Sequence, residues 1–179
     1  MEYFWVIPHP DYTDAPRMRD FHDKLKMNDF YLDRSHNIPM RTVIQIHPNE
    51  HMDFTDFLFQ SVPLFTDKAM KVIWRFDNDF IYKQLILLSP QNSLDKLYYL
   101  PFFTRFPPSV ILEPSSPHIL ERSDSDAAPK LKIPYTLPIF HVFFQHKCLL
   151  FVRLDLIESL LRNGVRGLAL RRADVCAEG

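Results

Sequence analysis

Ile139-Phe140-His141-Val142-Phe143-Phe144-Gln145-His146-Lys147-Cys148-Leu149-Leu150-Phe151-Val152-Arg153-Leu154-Asp155-Leu156-Ile157-Glu158-Ser159-Leu160-Leu161-Arg162-Asn163-Gly164-Val165-Arg166-Gly167-Leu168-Ala169-Leu170 is the stretch that decides the fold class. The runs Ile139 to Phe144 and Cys148 to Val152 flank Gln145-His146-Lys147, a pattern of two antiparallel strands joined by a short turn. Leu156, Ile157, Leu160 and Leu161 then fall on one stripe of a helix, with Glu158 and Arg162 one turn apart on the other side. Gly164 follows as a C-cap able to take a positive φ, and Gly167 to Leu170 reads as a last strand. Strand, helix and strand in that order make a crossover, right-handed if the two strands run parallel. The expectation is an α+β fold: mainly antiparallel or mixed β-sheet, a few short helices, and a C-terminal β-hairpin followed by helix and strand.

Working outward, Tyr3 to Ile7 is an apolar run stopped by Pro8, too short for a helix and suited to a first strand in the core. Between Asp11 and Arg34 the spacing of Met18, Phe21 and Leu25 predicts a helix started by Asp14-Ala15-Pro16. Thr42 to Ile46 reads as a β-branched strand. A helix is predicted over Asp67 to Phe76, capped by Thr66, with Phe65 placed to pack on Met70 as a hydrophobic staple. Lys83 to Leu88 and Leu97 to Phe103 read as strands, and the Pro-rich segment at about 107–130 as a connection whose loosest part is Ser123 to Pro129.

The chain has 179 residues, which predicts a single domain over 1–179 with one buried core. An apolar share of 46%, including 16 Phe, supplies that core, while 15 Pro against 3 Gly predicts short elements and stiff connections. The formal charge of -1 gives no general pull toward nucleic acid or anionic lipid, so neither is an expected partner. The acids are concentrated early: residues 1–60 carry ten acidic and six basic side chains. Cys148 and Cys176 are too few for a disulfide scaffold and read as reduced thiols. With no basic, apolar leader at the N-terminus and no long apolar run, the expected location is the cytoplasm.

The sharpest enzymatic signal is His47-Pro48-Asn49-Glu50-His51, which matches the H-x-x-E-H string of inverted zinc peptidases. There two His on one helical turn bind the metal and the Glu polarises a water. Here the string leaves a predicted strand and contains a proline, so solvated loop histidines explain it more simply, and the expectation is no metal and no cofactor. Three Gly nearly forbid a phosphate-cradling loop. Asp77-Asn78-Asp79 lacks the later ligands of a calcium loop and reads as a helix-terminal turn. His141 alternates with apolar neighbours and reads as a solvent-facing strand residue. Arg153, Arg162, Arg166, Arg171 and Arg172 read as a solvated face rather than a nucleic-acid site.

Two stretches resemble an immunity-protein family of bacterial polymorphic toxin systems, the group numbered eleven, and its close relatives. The first is Val62-Pro63-Leu64-Phe65-Thr66-Asp67-Lys68-Ala69 with Val72-Ile73, the strand at Lys83 to Leu88 and Tyr98-Tyr99-Leu100. The second is Ile139-Phe140, Leu150-Phe151-Val152, Asp155 to Gly164 and Gly167-Leu168-Ala169-Leu170. The resemblance implies a small non-catalytic cytoplasmic protein that binds and neutralises a cognate protein toxin; self-association as a homodimer is left open. The acids Asp11, Asp14, Asp20, Asp23, Asp29 and Asp33, interleaved with Phe21, Phe30 and Tyr31, are the expected toxin-facing residues, because they can oppose a basic partner and speed encounter. The alternatives are a zinc hydrolase built on His47, Glu50 and His51, and a generic intracellular interaction domain.

Overall fold

Tyr3-Phe4-Trp5-Val6 is apolar at every position, so a strand made of it requires cover on both faces. In the computed structural model, which describes residues 1–48, 52–90, 94–113, 130–144 and 147–175, β1 (Tyr3–Pro8) lies between β11 (Lys147–Arg153) and β12 (Leu168–Val175), antiparallel to both. β11 and β12 therefore run parallel, and α3 (Leu154–Arg162) makes the crossover between them. The expected strand, helix and strand are present, with the N-terminal strand inserted between the two strands.

β10 (Ile139–Phe144) pairs antiparallel with β11 from Ile139↔Val152 to Phe144↔Lys147. That is the expected hairpin, although Gln145 and His146 lie outside the described residues. β7 (Arg105–Phe106) runs parallel to β10, while β9 (Lys130–Leu131) and β8 (Ile111–Glu113) extend the other side. Among the described residues this gives a seven-stranded sheet in the order β7-β10-β11-β1-β12-β9-β8. A five-stranded sheet runs from β2 (Arg41–Gln45) through β5 (Ile81–Ser89), β6 (Leu94–Phe102) and β4 (Val62–Phe65) to β3 (Phe57–Gln60). β2 is parallel to β5 and the other pairs are antiparallel. The fold is α+β with two mixed sheets.

Pleating sorts the core. Tyr3, Trp5, Phe140 and Phe151 share one face of the seven-stranded sheet with Phe106 and Leu131, in one buried cluster with Val110 and Ile133. Val6, Leu150 and Val152 face the other way, onto Met70 and Ile73 of α2 (Asp67–Ile73) and Leu156 and Leu160 of α3. A third cluster lies on the five-stranded sheet, where Ile44, Leu85, Leu87 and Tyr98 are covered by Phe21, Leu25, Phe30 and Ile38.

One expected helix and one expected capping bond differ from the structure, although α2 starts at Asp67 as expected. Regular helix between Asp11 and Arg34 is limited to the single turn of α1 (Phe21–Lys24), followed by 3₁₀ turns at Met27–Phe30 and Leu32–Asn37. Tertiary pairing overrides the periodicity: Met18 bridges Ile46, and Arg19 N–H donates to the Gln45 carbonyl at 2.7 Å. Thr66 flanks α2, but its hydroxyl makes no capping bond and donates instead to Asp56 Oδ1 at 2.7 Å. Phe65 and Met70 do share a buried cluster. At the end of α3 the amides of Gly164 and Val165 return to the Leu161 and Leu160 carbonyls, a complete Schellman motif with Gly164 at φ 66°.

Asp56 connects the two sheets. Its Oδ2 accepts the Arg166 backbone N–H at 3.0 Å and the Lys68 ammonium at 3.3 Å, and the Asp56 and Phe57 amides both donate to the Arg166 carbonyl. Lys68 also donates to the Gly164 carbonyl, and the Arg166 guanidinium reaches Asp53 Oδ1 at 3.2 Å. The strand β3 of one sheet is thereby tied to the turn that leads into β12 of the other. Gly167 permits the approach: a Cβ there would stand 2.7 Å from the Phe57 carbonyl oxygen.

Burial raises the Asp56 pKa, but the hydrogen bonds from Thr66, Arg166 and Lys68, with the Lys68 charge, outweigh it and hold the carboxyl below its usual range. A carboxyl depressed on folding contributes stability that is present above its unfolded pKa of about 3.9 and is lost as pH falls through the folded value. Asp56→Asn is therefore expected to cost about 2 kcal/mol at pH 7, since bonds to a charged group are worth about 1.5–3 kcal/mol. In urea titrations from pH 7 to pH 2 the gap between wild type and variant should shrink at the acid end. A gap independent of pH contradicts the assignment.

Candidate protein-interaction site

The six acids expected to face a partner do not act as one face. Asp20 Oδ1 accepts the Gln45 amide at 2.8 Å and Oδ2 pairs with Lys24 at 2.6 Å, while Lys24 donates to the Val43 carbonyl at 2.6 Å. Between them Asp20 and Lys24 close part of the open edge of β2, which protects a strand that another chain could pair with. Burial raises the Asp20 pKa, but the Lys24 and Gln45 bonds prevail and lower it. Asp20 thus serves the fold, correcting the expectation that it faces a partner. Asp29 accepts Asn37 Nδ2 at 3.0 Å, and Asp11 stands 3.7 Å from His9 Nδ1. The Asp14 carbonyl accepts the Asp53 amide, and Asp14, Asp23 and Asp33 are exposed.

The aromatics divide more sharply. Phe21 and Phe30 are buried, at 1% and 5% exposure, and stack on each other 6.0 Å apart, so neither is available as a surface anchor; Phe30 in particular is corrected from site to core. The next residue, Tyr31, is 39% exposed, and Leu32 beside it is 62% exposed. Neighbours in an extended backbone point to opposite sides, and Tyr31 is extended (φ -88°, ψ 143°) between the two 3₁₀ turns.

Tyr31 is not loose. Its ring stacks on Phe143 at 5.9 Å and 23°, and Arg105 Cζ lies 3.9 Å from the Tyr31 centroid and 4.4 Å from that of Phe143. A guanidinium against two ring faces supplies cation–π attraction of about 0.5–2 kcal/mol. Below it His141 is 5% exposed, not solvent-facing as its alternation suggested, with Phe103 edge-on at 5.2 Å. Burial first, then the Arg105 charge, pushes the His141 pKa down to about 3, so the ring is neutral near pH 7. Burial pushes the Cys148 thiol up, Arg105 opposing it, which leaves Cys148 an unreactive apolar side chain. Cys176 lies outside the described residues.

Sequence reasoning singled out Tyr31 and missed Leu32, Arg105, Phe143 and the burial of His141. Arg105 reaches Tyr31 only through tertiary folding, and nothing local in Thr104-Arg105-Phe106 signals it.

The other candidates are placed as follows. His47 is exposed, non-helical and beside a cavity of about 510 Å³ lined by Ala15, Pro16, Arg17, His47 and Pro48, and its amide donates to the Arg17 carbonyl. Glu50 and His51 lie outside the described residues, among which no group of three or more His, Cys, Asp or Glu can hold a metal ion. Asp79 N–H donates to Asp77 Oδ1 at 3.0 Å in the turn after α2. Arg153 pairs with Asp155, Arg162 with Glu158, Arg166 with Asp53, and Arg172 with Glu2 and Asp174. These cations are already matched by carboxylates. No helix among the described residues is long and apolar enough to cross a membrane.

The division at positions 30 and 31 is testable by urea denaturation. Phe30→Ala is expected to cost about 3–5 kcal/mol as a cavity in the core. Tyr31→Ala should cost about 1 kcal/mol, the stacking and cation–π contacts alone. Equal costs contradict the assignment of Tyr31 to the surface.

In comparisons with known proteins, no family model and no curated protein matches this chain.

Proposed function

We propose that this chain is an immunity protein of a bacterial polymorphic toxin system, acting in the cytoplasm by binding a cognate protein toxin and blocking it without catalysis. The observation that carries the reading is the Tyr31 platform: an exposed aromatic held in one orientation by Phe143 and Arg105, with Leu32 beside it. A rigid aromatic next to a leucine is the kind of anchor that supplies most of the energy of a protein–protein contact, because little side-chain freedom is lost when it docks. The resemblance in the segments from Val62 and from Ile139 agrees with it.

Charge supports the same partner. Asp23 and Asp33 are exposed, with no pairing side chain among the described residues, in the same segment as Tyr31. Acids around an apolar centre accelerate encounter with a basic surface more than they raise final affinity. The matched arginines around α3 and β12 speak against a nucleic-acid partner.

The test is co-expression with the toxin encoded beside this gene. Wild-type protein should protect cells and bind the purified toxin. Tyr31→Ala should raise Kd at least about 30-fold, a loss of about 2 kcal/mol. Asp23→Asn with Asp33→Asn should slow association about tenfold at low salt and leave dissociation unchanged. A folded wild-type protein that neither binds nor protects overturns the proposal, and normal binding by Tyr31→Ala removes its site.

A further inference from the structure

Two nitrogens at the edge of the seven-stranded sheet are sealed from solvent and have no hydrogen-bond partner among the described residues: Arg105 Nη1 and His141 Nε2. Register places them together. Arg105 and His141 are paired positions of the parallel strands β7 and β10, so their side chains rise from the same face. Phe143, two residues along β10, is on that face too, and its cross-strand partner Cys148 lies beside it. Phe103 closes one side of the imidazole, and the near-parallel rings of Tyr31 and Phe143 cover the guanidinium.

Leaving such groups unpaired is costly. A buried donor without an acceptor forfeits about 1–3 kcal/mol, and more when it carries charge. Around Arg105 stand two aromatic rings, a neutral imidazole and a thiol, with no carboxylate paired to it among the described residues. Rings offer the guanidinium their faces but no acceptor for Nη1. The missing chemistry is a compact, planar anion, since the guanidinium presents parallel N–H bonds in one plane and the flanking rings are within 23° of parallel.

We propose that Arg105 and His141 form a binding site for a carboxylate group beside the Tyr31 ring. The carboxylate accepts two N–H bonds from the Arg105 guanidinium, and His141, in its Nε2–H form, donates a third. The carboxylate belongs either to a free small acid or to an acidic side chain of a partner protein; both offer the same group to the same donors. The site does not require the toxin-binding reading, because it is measured on the isolated chain, and its failure leaves that reading untouched.

The experiment is a titration followed by the ¹⁵N resonances of the Arg105 guanidinium and the His141 ring. Sodium acetate and the peptide acetyl-Gly-Glu-Gly-amide are the two probes, with sodium chloride at matched ionic strength as the control. The expected result is a saturable shift of both side chains with a Kd of the order of 1 mM or tighter. It should weaken at least about tenfold in Arg105→Gln and in His141→Phe, in line with one lost charge-assisted bond. Tighter binding of the peptide than of acetate assigns the carboxylate to a partner's side chain, and equal or weaker binding assigns it to a free acid; either supports the site. Arg105→Lys covers the case in which Arg105→Gln does not fold, since it keeps the charge, loses the paired donors, and must also bind acetate more weakly. Linear, unsaturable shifts with both probes, or shifts matched by chloride, overturn the proposal.

Discussion

The hydrogen-bonded contact between Asp56 and Arg166 is the constraint on which the arrangement of the two sheets depends. The sheets share no strand among the described residues. Much of what lies between them is apolar, the cluster under α2 and α3, and apolar contact fixes no orientation by itself. The Asp56 carboxylate does, because it accepts from a hydroxyl and an ammonium at the start of α2 and from a backbone amide in the turn before β12. The approach is so close that the residue after Arg166 can carry no side chain, and Gly167 takes φ 97° there. Thr66, which reads as an ordinary helix cap, is recruited into this contact instead.

What was legible in the sequence was local. The hairpin, α3, the Gly164 terminus and the strands β5 and β6 each show in the spacing of a few neighbouring residues, and each is present. The pairing of β1 with β11 and β12 was not legible, since its partners lie about 150 residues away and the run Tyr3 to Val6 says only that both its faces are covered. The segment from Asp11 to Arg34 failed for a related reason. Its helical spacing is real, but Met18 and Arg19 have better partners in the extension of β2 than in a helix of their own. No propensity within the segment contains that competition.

The interaction site shows the same limit at the scale of single residues. Counting acids finds an acidic segment and cannot tell Asp20, which closes the edge of β2, from Asp33, which is exposed. Alternating aromatics find Phe30 and Tyr31 together, yet the backbone sends one into the core and the other outward. Arg105 has no local signature at all. It matters because folding sets a cation beneath an exposed ring and beside a buried imidazole, so that one side chain stiffens the surface anchor and also holds an unpaired donor.

If the Asp56 contact governs how the sheets sit together, its effect must reach residues far from it. Native-state hydrogen exchange of wild type and Asp56→Asn measures this directly, through the amides of Val6 in the middle of one sheet and Leu85 in the middle of the other. The prediction is that both lose protection by the same amount, about 2 kcal/mol, as they would if one opening event exposed both sheets. Loss of protection confined to Phe57, Arg166 and their immediate neighbours, with Val6 and Leu85 unchanged, would contradict it.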